Sequence, residues 1–155
     1  RTYFRPLGRE TDILEFSESS ATVELAAQAV GVIPARIAKS LSFLTPEGCV
    51  LIIAAGDARV DNSKYKHHFG VKAKMLTPEQ VVEYTGHAIG GVCPFAISRP
   101  DVRIYLDISL QRFDTVFPAA GSANSAIELT CAELEQYACN CQGWADLCKG
   151  WQTEE

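Results

Sequence analysis

The chain has few of the signals that would tie it to a membrane, a metal or a nucleotide fold. No apolar run approaches the ~18 residues a membrane helix requires, and the opening Arg1-Thr-Tyr-Phe-Arg lacks the basic-then-apolar order of a secretory leader. Residue 1 is not Met, so this concerns the chain as it stands; on it, a cytoplasmic protein with no membrane contact is expected. The doublet His67-His68 belongs to neither an H-E-x-x-H nor an H-x-x-E-H pattern, which leaves a zinc hydrolase without its motif. There is no internal repeat and no low-complexity linker. One domain is therefore expected over residues 1–155, with a core at about 19–139 and a short C-terminal tail.

Six cysteines are present, four of them in the last 25 residues. The number is even, but the chain is large enough for a proper core and carries no export signal, so reduced thiols are expected rather than a disulfide framework. Cys139 and Cys141, with Cys148, could in principle hold a metal. The one-residue gap, however, falls short of the two to four residues between paired zinc ligands, and no second pair exists. No metal is expected, and these thiols are placed on a C-terminal helix.

A formal charge of −5 argues against indiscriminate coating of nucleic acid. Its distribution is uneven. Arg59, Lys64, Lys66, Lys72 and Lys74 face only Asp61 across residues 59–74, a net of +4, whereas from Glu128 onward Lys149 stands against six acids, a net of −5. A local basic segment suits contact with a few phosphates; a solvated helix face accounts for it equally well.

Apolar residues Val23, Ala26, Ala27 and Val30 follow Ser19-Ser20 at helical spacing and stop at Gly31, and Pro34 suits the first turn of a short helix over 34–38. Leu41–Leu44 and Cys49–Ala54 read as strands joined by Thr45-Pro-Glu-Gly, a hairpin. Residues 61–69 read as a polar helix closed by Gly70. Thr77-Pro-Glu-Gln and Thr130-Cys-Ala-Glu are capping boxes that open further helices. Residues 102–107, 115–119 and 126–129 are strand candidates. The interspersed, irregular order together with a hairpin predicts an α+β fold rather than a doubly wound parallel sheet.

Three places could carry chemistry. Period-two alternation puts Lys39 on the face of Leu41 and Phe43, so its ammonium either meets an anionic ligand in a cavity or snorkels to water. The loop Gly86-His-Ala-Ile-Gly-Gly-Val-Cys-Pro-Phe95 has adjacent glycines that let backbone amides approach a ligand, and Pro94 stiffens its exit. It has neither Rossmann nor P-loop spacing; it is an amide-presenting loop or an ordinary turn. Gly121, Ser122 and Asn124 lie in a small polar stretch that can hydrogen-bond a substrate or simply connect two strands. Cys93 beside His87 in sequence raises the separate idea of a thiol nucleophile.

Several segments together resemble the YbaK/EbsC and prolyl-tRNA synthetase editing-domain family over about residues 19–134: Ala35-Arg-Ile-Ala-Lys-Ser-Leu-Ser-Phe43, Ala55-Gly-Asp-Ala-Arg-Val-Asp61, Met75-Leu-Thr-Pro-Glu-Gln80, Gly90-Gly-Val-Cys-Pro94, Ile104-Tyr-Leu-Asp-Ile-Ser-Leu110 and Ala120-Gly-Ser-Ala-Asn-Ser-Ala-Ile-Glu-Leu129. The resemblance implies a mixed, barrel-like sheet with helices around it. It implies a cofactor-free hydrolase that removes a wrong amino acid from a tRNA, with aminoacyl-tRNA as partner and an aminoacyl-tRNA synthetase as a candidate second partner. Lys39 then contacts the tRNA 3′ end, and Gly90, Gly91 and Pro94 position the ester. Val92, Cys93, Gly121, Ser122 and Asn124 line the substrate pocket, and Arg59, Lys64 and Lys66 meet the tRNA backbone. Two positions depart from the family pattern. Ala126 replaces the aspartate of the cysteinyl-tRNA(Pro) deacylase branch, so that substrate is not implied, and Cys93 stands where many relatives have serine. The rival reading is a non-catalytic module that keeps the pocket and binds charged tRNA, a nucleotide or a protein.

Overall fold

A computed structural model describes residues 13–15, 34–46, 48–85, 97, 101–118, 125–138 and 141–149. The predicted helix after Ser19 lies outside them. The described strands are β1 (Ile13–Glu15), β2 (Ile37–Thr45), β3 (Gly48–Ala55), β4 (Arg59–Val60), β5 (Val102–Asp107), β6 (Thr115–Pro118), β7 (Ser125–Ile127), β8 (Leu129–Thr130), β9 (Cys141–Ala145) and β10 (Cys148–Lys149); the α-helices are α1 (Asn62–Phe69), α2 (Pro78–Thr85) and α3 (Cys131–Tyr137). Six strands form one curled, half-barrel sheet in the order β8-β6-β2-β3-β5-β9, with parallel and antiparallel neighbours mixed. The α+β, barrel-like expectation is met.

At the centre is the β2–β3 hairpin, paired from Ala38↔Ala55 to Thr45↔Gly48. The turn demands glycine: Gly48 has φ 128°, and a Cβ there would collide with the Asp101 carbonyl. Every β3 residue from Cys49 to Ala55 is fully buried, because β3 lies between two strands and is covered on both faces. The short helix predicted at 34–38 is confined to a 3-10 turn, Pro34–Arg36. Ile37 and Ala38 instead pair in parallel with Phe117 and Pro118, so ladder hydrogen bonds draw them into β2.

The helix ends follow local chemistry. Asp61 caps α1 by accepting from the Ser63 and Lys64 amides at 2.9 and 3.1 Å, and Gly70 closes it with φ 78°. Both capping boxes form. The Thr77 amide donates to Gln80 Oε1 at 2.9 Å, the Thr130 amide to Glu133 Oε1 at 2.9 Å, and the threonine hydroxyls accept in return.

Two expectations change. The strand predicted at 126–129 divides at exposed Glu128: β7 pairs with β1, while β8 pairs with β6. Residues 141–149, expected as a tail with helical thiols, form β9 along β5 and β10 along β4. Cys148 is thereby buried and Cys141 half-buried, on strands rather than a helix; both are free thiols, as are Cys49 and Cys131.

Candidate active site

Residues in register across a sheet share a face. The pairs Lys39↔Ala54, Leu41↔Ile52 and Phe43↔Val50, with Ile52↔Tyr105 and Val50↔Arg103 beyond them, put Lys39, Leu41, Phe43, Tyr105 and, two residues on, Asp107 on one face. Helix α1 covers this face. Tyr65 packs on Phe43 with ring centroids 5.1 Å apart, and Phe69 packs on Tyr65 at 4.6 Å and on Tyr105 at 5.0 Å. Lys39 therefore lies on the face that alternation predicted. Its side chain is half-buried, and Nζ donates to the Gly56 carbonyl at 3.3 Å.

That carbonyl belongs to a turn held from three sides. The Ala58 amide donates to Ala55 O at 2.9 Å, and the Ala55 amide donates to the buried Ser109 hydroxyl at 3.1 Å. Arg112 grips Asp57 with two bonds, Nη1 to Oδ2 at 3.0 Å and Nη2 to Oδ1 at 2.6 Å, and is itself anchored by Nε on Ser109 O at 2.8 Å. The lysine thus ends against a stiff acceptor.

Asp107, fully buried, organises the far side. Its Oδ2 accepts from the Ser109 amide at 3.0 Å and its Oδ1 from the Leu147 amide at 2.8 Å, while the Leu147 carbonyl accepts from the Asp61 amide at 2.9 Å. One carboxylate thereby links β5, the 3-10 turn Ile108–Arg112 and the strand that starts α1. Sequence reasoning passed over Asp107, although an aspartate ending an apolar strand run was the available signal. Cys148 lies beside it. Burial, then the Asp107 charge and a hydrogen bond to it, push this thiol up to about 12, against the opposing pull of the Lys39 and Lys64 ammonium groups. It stays a protonated, unreactive thiol at neutral pH.

Of the expected backbone contacts, Arg59 and Lys66 are exposed. Lys64 is engaged within the protein: Nζ donates to Asp146 Oδ1 at 2.8 Å and to the Cys148 carbonyl at 3.0 Å. The bond to Asp146 above all raises its pKa from the usual 10.5. Lys66 and Lys72, with Asn62, Ser63 and Ala73, line an open concavity of about 350 Å³. Gly90, Gly91, Val92, Cys93, Pro94, Gly121, Ser122 and Asn124 lie outside the described residues, as do His87 and Cys139. The chain leaves β6 toward residues 119–124 at Pro118, the register partner of Ala38 and so next to Lys39. Among the described residues no group of three or more His, Cys, Asp or Glu side chains could hold a metal ion, and no helix is long and apolar enough to cross a membrane.

A half-barrel sheet on which Lys39 ends against a braced turn, with a basic helix over the same face, defines a small α+β domain. Comparison with known proteins gives that class its family: residues 17–137 match the aminoacyl-tRNA editing domain, and the chain belongs to that family. It is 56% identical to the YwhH protein of Bacillus subtilis (strain 168), over 98% of this chain and 96% of that one. It is 31% identical to the multifunctional Ser/Thr-tRNA deacylase ProXp-y of Escherichia coli (strain K12), over 57% of this chain and 54% of that protein. Against the proline–tRNA ligase of Thermotoga sp. (strain RQ2) the identity is 31%, over 58% of this chain and only 15% of the ligase. A crystal structure described as a candidate trans-editing enzyme for prolyl tRNA synthetase superposes with a TM-score of 0.85 at 34% identity, covering 96% of this chain and 94% of that one.

Proposed function

We propose that this protein is an aminoacyl-tRNA deacylase acting in trans: it hydrolyses the ester between a mischarged amino acid and the terminal ribose of a tRNA. The observation that carries the reading is the half-buried Lys39, whose ammonium is held at the Gly56 carbonyl on the face covered by α1, in a chain of the editing family. In this reading Lys39 binds a phosphate or ribose oxygen of the 3′ end. The amides of the Gly90–Pro94 loop, with Gly90, Gly91 and Pro94 setting its path, position the ester. Val92, Cys93, Gly121, Ser122 and Asn124 shape the amino-acid pocket.

Water is the nucleophile. An aminoacyl ester is already activated, so positioning and electrostatic stabilisation of the developing oxyanion supply the acceleration, and no Ser-His-Asp set is needed. The biological logic is a second sieve: a synthetase pocket separates similar small side chains by only ~1–3 kcal/mol. ProXp-y, a Ser/Thr-tRNA deacylase by its name, and the ligase match support tRNAs charged with small amino acids as the substrate class, with a prolyl-tRNA synthetase as the related synthetase. Such work belongs to the cytoplasm, where tRNAs are charged.

The test is release of labelled amino acid from a panel of mischarged tRNAs. Lys39→Ala should slow release by about 10–10²-fold, the cost of one charge-assisted hydrogen bond to the substrate, with an unchanged circular dichroism melt. If the wild-type protein binds these tRNAs but frees no amino acid from any of them, the reading gives way to the non-catalytic binding module.

A further inference from the structure

In sequence, Lys149 belongs to the acidic C-terminal stretch. The fold moves it. β10 pairs antiparallel with β4, and the register sets Lys149 directly opposite Arg59, both exposed. Like charges directly opposite on neighbouring strands repel. Among the described residues neither side chain makes an ion pair or a hydrogen bond. Asp61, held below the usual carboxylate range first by the Lys64 amide and to a smaller degree by the Ser63 amide and the Lys149 charge, already uses its carboxylate on those two amides, and Asp146 is taken by Lys64.

Immediately beyond Asp61, the concavity of about 350 Å³ adds two more solvent-facing lysines, Lys66 and Lys72, in one lining with the polar residues Asn62 and Ser63. On a protein of net charge −5, the ladder, α1 and the segment after it carry four exposed cations, Arg59, Lys149, Lys66 and Lys72, none of which forms an ion pair among the described residues. The helix amides play no part, since Asp61 occupies them; the surface is built from side chains. Among the described residues the concavity's lining contains no aromatic ring and no large apolar group, so these residues offer neither a stacking platform for bases nor an anchor in a bilayer. Spaced ammonium and guanidinium groups with hydroxyl and amide donors are what a phosphodiester backbone requires.

We infer that Arg59, Lys149, Lys66 and Lys72 form the docking surface for the sugar-phosphate backbone of the tRNA acceptor end. Lys64 is a strut of this surface rather than a contact. The surface rests on the reading that the substrate is an aminoacyl-tRNA. The same helix α1 roofs the sheet face that carries Lys39, so one element joins this surface to the residue assigned to the tRNA 3′ end.

The experiment measures the affinity of the whole protein for uncharged tRNA as a function of salt, independently of turnover. Arg59→Ala/Lys149→Ala and Lys66→Ala/Lys72→Ala each remove two positive charges. Gln111→Glu/Gln136→Glu, at two exposed positions on other elements, changes net charge by the same amount and serves as the control. Each alanine pair should weaken binding about ten-fold at low salt and lower the slope of log affinity against log salt by about one for each phosphate that is no longer neutralised, while the control keeps the wild-type slope.

Equal slopes for the alanine pairs and wild type overturn the surface, as does an equal weakening in the control, which would mean that only net charge matters. Wild-type protein that fails to bind tRNA at all overturns it too. The hydrolase reading is judged separately. Weakened binding in the alanine pairs with no ester cleavage by wild type leaves the surface standing and removes the enzyme. Cleavage by wild type with unaltered slopes in the pairs does the reverse.

Discussion

Strand β3 and the β4–β10 ladder are built from opposite materials. All side chains from Cys49 to Ala55 are fully buried and apolar, and the strand is fixed on both sides by neighbours that start close by in the sequence or run parallel at β5. The ladder is two residues long, joins chain positions far apart, and turns Arg59 and Lys149 to solvent. Burial gives β3 its place wherever its neighbours come from. The ladder has little burial beyond Val60 and Cys148, and depends on a few polar links: the Asp107 carboxylate to Leu147, Leu147 to Asp61, and Lys64 to Asp146 and the Cys148 carbonyl. The scaffold is thus held by hydrophobic area, and the ladder by a small number of hydrogen bonds. Single polar substitutions should act on the second while leaving the first intact.

The largest effect on this contrast is expected at Asp107. Asp107→Ala leaves the Leu147 and Ser109 amides without their acceptor in the interior, at a cost of about 3 kcal/mol. The destabilisation should be read by urea unfolding, and hydrogen exchange should show residues 145–149 opening well before β3 does. Uniform loss of protection across both regions would mean that the corner is as firmly fixed as the core.

A smaller effect, of opposite sign, is expected at Tyr65. Its ring is buried against Phe43 and Phe69, but its hydroxyl has no hydrogen-bond partner among the described residues. Tyr65→Phe should stabilise by about 1 kcal/mol. Burial pushes the Tyr65 hydroxyl from 10.0 up to about 12. Above pH 10.0 the unfolded chain releases this proton while the folded one keeps it, so the unfolded state binds fewer protons and stability falls as pH rises toward 12. The phenylalanine variant should lose less stability between those limits. A parallel decline in both proteins would remove Tyr65 from the alkaline limb.

The smallest effect is expected at Lys64. The pair with Asp146 is exposed by more than a third on the lysine side and more than half on the acid side, so Lys64→Met should cost under about 1 kcal/mol, and less in high salt. Because the folded pKa is raised, this contribution is present in full below pH 10.5 and is lost as pH climbs through the folded value. Thermal melts at low and high salt, near pH 8 and near pH 11, check both statements. A cost above about 2 kcal/mol, beyond the range of exposed pairs, would make this one a main support of the corner.

The elements that were legible in the sequence share a property: their signal is local. Asp61 and Gly70 bound α1, Thr77 with Gln80 and Thr130 with Glu133 open α2 and α3, and Gly48 turns the hairpin, each through bonds or sterics spanning a few residues. Lys39 was legible for the same reason, since alternation with Leu41 and Phe43 is an intrinsic property of an extended chain. The misread elements depend on distant partners. Ile37 and Ala38 become strand because β6 offers them a ladder, and Glu128 divides a strand because β1 and β6 compete for its two ends. β9 carries Gly143 and no clear alternation, and is extended because β5 presents a free edge to it, with a register shift between Ile104 and Leu106.

Residue identity over spans shorter than one element was enough to set the hairpin, the helix ends and the face on which Lys39 lies, and the order of several such spans along the chain carried the family resemblance. Long-range pairing settled the rest: that Gly56 receives the lysine, that Asp107 and Cys148 lie buried behind it, that Asp146 engages Lys64, and that Lys149 leaves the acidic end of the chain to stand opposite Arg59. Charge and hydrogen-bond partners are fixed by distance in space, and strand pairing between residues far apart in the chain sets those distances.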